Sequence, residues 1–243
     1  MVTSRAVRLQ VPKTLRQSTF DLVKRSMLDG EYLSGQILSA NSLAAELGIS
    51  NSPVREALMD LTSLGLVEVV RNRGFRVRQM TDQDRHEVLE MRRIVEVSTM
   101  ERLAERGVSE DELAIADGLA HDFVSLLHQE RVRDHLDADH RFHMYLIGLL
   151  GNSRISQTVG NLRDQTRICG AFVDIPLGTL QTCADEHLDL IDALRSRDRL
   201  LVRSLMERQL EFAAARGALT RGGGDAAMPT AGPRRADAAT LPR

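Results

Sequence analysis

Asp139 and His143 are two metal-ligating side chains that stand four residues apart in a stretch with helical periodicity. In an α-helix, residues at this spacing project from one face toward the same point. An anionic oxygen beside an imidazole nitrogen is a donor pair that suits a divalent ion. The spacing therefore predicts part of a divalent-metal site on one helix.

A second group of polar residues, Ser50–Pro53, stands where a helix would begin. It supplies a cap and an early-helix proline, and backbone amides and short hydroxyls at such a position can reach phosphates. Arg55 follows one turn later, where a guanidinium can pair bidentately with guanine. These residues predict contacts with DNA, whereas the alternative makes Arg55 a surface arginine paired with Glu56 or Asp60.

Three helices are predicted to position this DNA-binding group. Hydrophobic residues at helical spacing predict the first over Leu15–Leu28. A second runs from a cap at Ser39 or Asn41 to Gly48, and a third begins behind the cap at Ser50. Two short helices joined by a tight turn form a helix-turn-helix.

The hydrophobic period then changes to that of β-strands. Residues 66–70 and 75–78 alternate as strands do, and the loop between them predicts a hairpin. A hairpin directly after a helix-turn-helix forms a wing, whose tip would carry Arg73 and Gly74 to the DNA backbone or minor groove. Gly74 is expected because the loop needs a residue that can adopt a positive φ.

Charge and pattern divide the chain into three parts. Residues 1–80 contain eleven Lys and Arg against seven Asp and Glu, a net +4, whereas residues 81–220 carry −8 in a chain whose total is −2. The basic part suits a polyanion. We predict a mainly α protein with a DNA-binding domain over residues 10–80, an all-α antiparallel helical bundle over 82–219, and a disordered, Gly-, Ala- and Pro-rich tail over 220–243.

Bulk composition excludes several other classes of protein. No apolar run approaches the roughly 20 residues that cross a bilayer, and the start of the chain lacks the apolar core of a signal peptide. A cytoplasmic protein without a membrane partner is therefore expected. Cys169 and Cys183 lack metal-type spacing, so we expect reduced core thiols rather than a disulfide or a thiolate site.

The N-terminal stretch Leu43–Leu58, with Gly65–Val67 and Asn72–Gly74, resembles the winged helix-turn-helix of the GntR family of bacterial transcription regulators. The match spans about 65 residues in the right order, far more than a lone motif offers. Two positions depart from the family, because Asn51 and Asn41 stand where charged residues are usual. Asparagine can still read adenine, so the family's operator preference does not transfer. The residues predicted to contact DNA are Asn41, Ser50, Asn51, Ser52, Arg55, Arg73 and Gly74.

Residues 82–215 resemble the FCD ligand-binding domain of the FadR subfamily of GntR regulators, in its six-helix form. The matching segments are Glu90–Glu96, Asp139–His143, Gly151–Asn152, Glu186–His187 and Arg197–Asp198. The resemblance implies that His187 joins Asp139 and His143 around a zinc- or nickel-type ion. It also implies a small carboxylic-acid or sugar-acid effector, contacted by Arg92, Asn152 and Gln209.

Gln209 stands where the family's fourth metal ligand is normally a histidine. A neutral amide oxygen is a poorer ligand for zinc or nickel, so the site would be weakened. Three interpretations remain open. The other three ligands hold the ion with Gln209 or water, the same residues hydrogen-bond an organic ligand directly, or they satisfy one another as buried polar groups. The remaining histidines are mostly expected at solvent-facing positions, namely His86, His121, His128, His135 and His140.

These features together predict a ligand-responsive, DNA-binding transcription repressor rather than an enzyme. A homodimer would bind two half-sites of double-stranded DNA about one turn apart, and the effector would lower operator affinity. One rival is a metal-dependent hydrolase with His140 or Glu186 as the base. Another is a non-sensing architectural DNA-binding protein, which a cavity filled by side chains would favour.

Overall fold

The computed structural model describes residues 13–126, 132–170 and 177–219, so the predicted tail over 220–243 lies outside the described residues. The chain begins with three helices and a small sheet, as the hydrophobic periods predicted. These elements are α1 (Leu15–Leu28), β1 (Ile37–Leu38), α2 (Ala40–Leu47), α3 (Asn51–Ser63), β2 (Val67–Val70) and β3 (Gly74–Val77).

Local capping explains where α2 and α3 begin. The Ser39 side chain accepts a hydrogen bond from the Ser42 amide, so Ser39 rather than Asn41 is the cap of α2. The helix ends at Gly48 in the left-handed region, with φ of 65°. Ser50 then takes the extended conformation of an N-cap and opens α3, which completes the predicted helix-turn-helix.

The sheet contains one strand that the sequence did not predict. Its order is β1-β3-β2, with both pairs antiparallel. Strand β1 has only two residues, too few for an alternating pattern to be visible. Gly74 has φ of 107°, and a Cβ there would lie 2.7 Å from the Leu38 carbonyl oxygen. The glycine therefore permits β1 to approach the wing hairpin.

The remaining described elements are all helical, which confirms the predicted bundle. They are α4 (Asp82–Arg92), a π-helical segment (Arg93–Val97), α5 (Ser98–Arg106), α6 (Glu110–Leu126), α7 (Val132–Gly148), α8 (Ser153–Gly170), α9 (Leu177–Arg195) and α10 (Arg199–Leu219). Thr81 caps α4 and forms a capping box with Asp84. The π-helical segment joins α4 to α5 without a break, so these three elements form one continuous helix. With α6 to α10, the described part of the bundle therefore has six helices.

Two main hydrophobic cores lie in the described part of the chain. One joins helices of the bundle, and the other joins α1, α2, α3 and the sheet. Ile168 of α8 belongs to the second core, so one bundle helix packs directly onto the N-terminal unit. Among the described residues, no helix is both long enough and apolar enough to span a membrane.

Candidate functional site

Helix α3 presents a polar face to solvent. Its other face is fully buried in the N-terminal core through four residues at helical spacing, Val54, Ala57, Leu58 and Leu61. Ser52 and Arg55 lie on the exposed side. The buried stripe fixes the rotation of the helix about its axis. The side chains of Ser52 and Arg55 therefore face solvent.

Arg55 is exposed, and no hydrogen bond or ion pair involves its side chain in the part of the chain that the structure describes. Asp60 and Glu56, the alternative partners of Arg55, both lie beside the Arg16 guanidinium instead. Asp60 accepts two hydrogen bonds from Arg16 of α1, at 2.7 and 2.5 Å, and Glu56 lies 3.9 Å from the same guanidinium. The alternative of a surface pair with Arg55 is therefore wrong, and the Arg55 guanidinium keeps its donors for a ligand.

The two unusual asparagines of the helix-turn-helix lie next to each other. The Asn51 amide donates to the Asn41 side-chain oxygen, and Ser52 donates to Glu56 at 3.0 Å. Ser50 makes no side-chain cap hydrogen bond, so its hydroxyl is not committed to the helix. The four residues predicted at the start of α3 and α2 thus form one continuous polar edge.

The tip of the wing carries two exposed arginines, Arg71 and Arg73. The turn between β2 and β3 closes with the Arg73 amide donating to the Val70 carbonyl at 3.0 Å, and Asn72 adopts a positive φ of 61°. Arg73, but not Arg71, was predicted from the sequence to lie at this tip. Both guanidinium groups extend the basic surface beyond α3.

Asp139, His143 and His187 converge inside the bundle, and we call them the Asp-His-His triad. The Asp139 Oδ1 atom lies 3.6 Å from Nε2 of His143 and 3.5 Å from Nε2 of His187. One potential ligand atom from each residue lies within 4.8 Å of the others. Both histidines are buried, whereas the Asp139 side chain keeps 28% exposure.

The triad fits a divalent ion by its spacing and its donor types. Ligand atoms about 2.1 Å from a tetrahedral ion are about 3.4 Å apart, close to the two distances from Asp139. Burial, followed by the charge of Arg163, holds the pKa of His143 well below its usual range. A neutral imidazole is the form that ligates metals. Helix α7 supplies the first two residues at the predicted four-residue spacing, and α9 supplies His187.

Arg163 of α8 is a site residue that the sequence analysis missed. Its guanidinium donates to Asp139 Oδ2 at 3.1 Å and to Glu96 Oε2 at 2.7 Å. Glu96, completely buried in the π-helical segment, also accepts from Arg92 at 2.7 Å. Burial would raise the pKa of Glu96, but Arg163 and Arg92 outweigh it and lower that pKa. Arg92, predicted to face an acid effector, is thus bound to Glu96.

Gln209 of α10 lines a small cavity beside the triad, with a volume of about 30 Å³. Both its amide nitrogen and its amide oxygen are buried without a hydrogen-bond partner. Buried polar groups are normally paired, so these atoms mark a place for a ligand group or water. The cavity is small, but it is not filled by side chains, which speaks against a domain that senses nothing.

The structure places three residues that were named from the sequence. Asn152 is exposed, and its side-chain oxygen accepts hydrogen bonds from the amides of Arg154 and Ile155 at 3.1 and 3.3 Å. It caps α8 and lies outside the cavity lining. The capping role alone is enough to explain an asparagine at this position. His135, expected to face solvent, is 2% exposed and lines the cavity. Glu186, a base in the hydrolase alternative, accepts from Arg208 at 2.8 Å.

The other expectations for the bundle meet different outcomes. Cys169 and Cys183 are half-buried, and neither forms a disulfide within the described residues. His128 lies outside the described residues.

Helices α7 and α8 carry both residues of the site and residues that contact the N-terminal unit. Asp137 of α7 accepts from Arg25 of α1 and, at 2.5 Å, from Arg167 of α8. Arg167 also donates to the Leu28 carbonyl at 3.0 Å, and Gln165 donates to the Leu64 carbonyl at 2.9 Å. A displacement of α7 or α8 at the triad would therefore reach both α1 and the end of α3.

Comparison with family models divides the chain in the same way. Residues 15–77 match the family described as bacterial regulatory proteins, gntR family. Residues 87–212 match the FCD domain. The gntR model covers the helix-turn-helix, and the FCD model covers the triad.

Relatives and solved structures agree with these matches. The chain is 29% identical over 171 residues to the Nta operon transcriptional regulator of Aminobacter aminovorans, covering 68% of this chain and 77% of that protein. It is 28% identical over 199 residues to the gluconate operon transcriptional repressor of Bacillus licheniformis, covering 75% and 77%. The solved structure of E. coli McbR/YncC has the same fold, with a TM-score of 0.77 at 18% identity over 86% of this chain and 100% of that one.

Proposed function

Because the chain belongs to the GntR family of bacterial regulatory proteins and carries an FCD domain, we propose that it is a transcription repressor whose operator affinity responds to a small organic acid. Residues 10–80 bind DNA, and residues 82–219 bind the effector. The observation that carries the proposal is the sharing of α7 and α8 between the triad and the contacts with α1.

In this proposal α3 enters the major groove with its N-terminus first. Ser50, Asn51 and Ser52 then lie where amides and hydroxyls reach phosphates, beside Asn41. The uncommitted guanidinium of Arg55 reads a base edge, since it has no protein partner among the described residues. At the wing, Arg73 binds the backbone or minor groove, and Gly74 supports the turn that holds it.

Asp139, His143 and His187 are proposed to hold a divalent ion of the zinc or nickel type. Such an ion would supply a concentrated positive charge at which a carboxylate can bind. Arg163 orients Asp139 by binding its second carboxylate oxygen, as outer residues of metal sites commonly do. Gln209 lies beside this group and is left for water or the effector.

Charge balance supports an acidic effector. Arg92 and Arg163 offset the carboxylates of Glu96 and Asp139, so these four buried or half-buried groups sum to zero. A divalent ion bound to neutral histidines would leave a surplus of two positive charges. Burying that surplus is costly unless an anion accompanies it. Arg92, predicted to contact the effector, is balanced within this sum by its pair with Glu96.

The signal is proposed to travel through α7 and α8. Effector binding at Asp139 and Arg163 shifts these helices, which hold α1 through Asp137 and Arg167. In a homodimer this would change the separation of the two recognition helices. Both helices could then no longer dock on half-sites about one turn apart, and operator affinity would fall.

The direct test is selection of genomic fragments by the full chain at moderate salt, with and without a panel of carboxylic and sugar acids. We expect selected fragments to share a two-fold sequence, and at least one acid to weaken their capture. Failure to select any fragment, or equal affinity with every acid, would contradict the proposal. Zinc content is measured in wild type, His143→Ala and His121→Ala, whose exposed imidazole serves as the control. Only His143→Ala is expected to lose zinc.

A further inference from the structure

The cavity beside the triad has a polar wall that the metal site does not use. Its lining includes Phe123, His135, Asp139, His187 and Gln209. Its volume of about 30 Å³ suits one or two groups of the size of a water molecule. We call this cavity the polar recess.

His135 enters the polar recess from the same helix face as the triad. It precedes Asp139 by four residues and His143 by eight on α7, so the three side chains are stacked along one side. Its ring packs edge-on against Phe123 at 5.3 Å, and Phe123 packs in the same way against His187 at 5.0 Å. His135 is not among the residues whose ligand atoms cluster within 4.8 Å, so it lies beside the triad and not in it.

The buried ring nitrogen of His135 determines which hydrogen bond the side chain can make with a ligand. Nδ1 is buried without a hydrogen-bond partner. Burial is the largest effect on the ring and lowers the pKa of His135, against the opposing effects of the Asp134 charge and the Leu126 backbone. A neutral ring with its proton on Nε2 leaves a lone pair on Nδ1. In this tautomer Nδ1 is an acceptor that needs a donor.

Gln209 of α10 provides complementary hydrogen-bonding groups. Its Oε1 and Nε2 atoms are both buried without a partner, so the amide offers one acceptor and one donor at the same cavity. A hydroxyl group both donates and accepts. A hydroxyl can therefore satisfy His135 and Gln209 together, whereas a methyl or methylene group would leave both unpaired.

Building on the proposed function, we infer that His135 and Gln209 form a hydroxyl-binding subsite, so that the effector is a short hydroxy carboxylic acid. Its carboxylate lies at the triad and Arg163, and its hydroxyl donates to Nδ1 of His135 while accepting from Nε2 of Gln209. The small volume of the polar recess limits this end of the ligand to the hydroxyl and its carbon. Specificity arises because an acid without the hydroxyl leaves buried polar atoms unpaired.

The test compares glycolate with acetate, which differ by one hydroxyl, in calorimetric titrations of the zinc-loaded full chain. We expect glycolate to bind at least tenfold more tightly than acetate. His135→Phe keeps an aromatic ring on Phe123 but removes the acceptor, and it should reduce that ratio to threefold or less. Zinc content should be unchanged, because His135 is not a member of the triad. His121→Phe, on an exposed side chain, should keep the wild-type ratio.

Gln209→His gives a second, independent variant. A third imidazole at this position should raise zinc affinity and reduce the preference for glycolate. Equal binding of the two acids by wild type, binding of neither, or an unchanged ratio in both variants would overturn the subsite. If other acids of the panel still release the operator, the subsite alone fails. If no operator is selected at all, the proposed function fails as well.

Discussion

Asp137 and Asp139 lie two residues apart on α7 and bind partners in different parts of the molecule. Asp137 binds Arg25 of α1 and, at 2.5 Å, Arg167 of α8. Asp139 binds Arg163 of α8 at 3.1 Å and lies beside both histidines of the triad. A single turn of α7 therefore connects the triad to the helix that packs against α3.

Replacing Asp137 with asparagine should loosen this connection while leaving the triad intact. A neutral amide cannot balance the two guanidinium groups of Arg25 and Arg167, and charge-assisted hydrogen bonds contribute about 1.5–3 kcal/mol each. Because the Asp137 side chain is 19% exposed, we expect a total loss of about 2 kcal/mol in the free energy of unfolding. Urea denaturation measures the loss, and hydrogen exchange should accelerate near Leu28.

The matched control is Asp21→Asn. Asp21 is 39% exposed and pairs with Lys13 near the start of α1, and such surface pairs contribute about 0–1 kcal/mol. Zinc content should be that of wild type in both variants. Equal destabilisation by the two changes, or loss of zinc from Asp137→Asn, would show that Asp137 does not have this separate role.

The elements that could be predicted from sequence are those whose signals are local. The helix-turn-helix, the wing hairpin and the Asp139–His143 pair each depend on a period or spacing within one element. Strand β1 could not be found because two residues carry no period. Arg163 and Glu96 meet across 67 positions of sequence, so no local pattern pairs them.

Two other placements in the structure had signals in the sequence. His135 precedes Asp139 by the same four residues that separate Asp139 from His143, so the helix period already placed it on the buried face. Asn152 directly precedes a helix start, where asparagine is a favoured cap.

Arg55→Ala and Arg73→Ala should impair DNA binding in different ways. Loss of a bidentate base contact at Arg55 should cost about 1–3 kcal/mol and relax specificity at one base pair. Loss of a backbone contact at Arg73 should weaken all sequences alike and lower the slope of log affinity against log salt by about 1. Competition binding with operator variants at several salt concentrations separates the two effects.

The control for both arginines is Arg102→Ala, since Arg102 is exposed on α5, away from the helix-turn-helix. It removes the same charge and should leave both specificity and salt slope unchanged. If Arg55→Ala weakened every sequence equally, α3 would not be reading bases through this side chain.

Asp84→Ala should produce a pH-dependent loss of stability at the junction of the two units. The Thr81 hydroxyl and amide, and then Arg78, hold the pKa of Asp84 below its ordinary value. A carboxyl with a lowered pKa stabilises the fold above its unfolded-state pKa, and this contribution is lost as the pH falls through the folded-state value. We expect a loss of about 1 kcal/mol at pH 7, which shrinks below about pH 4.

Chemical denaturation between pH 3 and pH 8 measures this difference. Glu87→Ala is the control, because Glu87 is an exposed residue of the same helix whose side chain accepts only from Gln83 among the hydrogen bonds of the described residues. It should change stability by less than about 0.5 kcal/mol. A loss at Asp84 that stayed constant down to pH 3 would mean that the carboxylate charge is not the cause.

Gly74→Ala and Gly118→Ala should have opposite effects on stability. At Gly74 the φ of 107° is strained for alanine, and the new Cβ would lie 2.7 Å from the Leu38 carbonyl oxygen. We expect a loss of about 1–3 kcal/mol, because β1 must move away from β3. At Gly118, exposed within α6, a Cβ meets nothing within 4 Å, and alanine should stabilise the helix by about 0.5–1 kcal/mol.

The two glycine variants also separate stability from DNA binding. Displacing β1 would shift the wing that carries Arg73, so Gly74→Ala should weaken operator binding at temperatures where the chain remains folded. Gly118→Ala lies on the bundle and should leave operator affinity unchanged. Thermal unfolding gives the first comparison, and fluorescence anisotropy with an operator duplex gives the second. Normal operator binding by a destabilised Gly74→Ala would mean that the position of β1 does not control the wing.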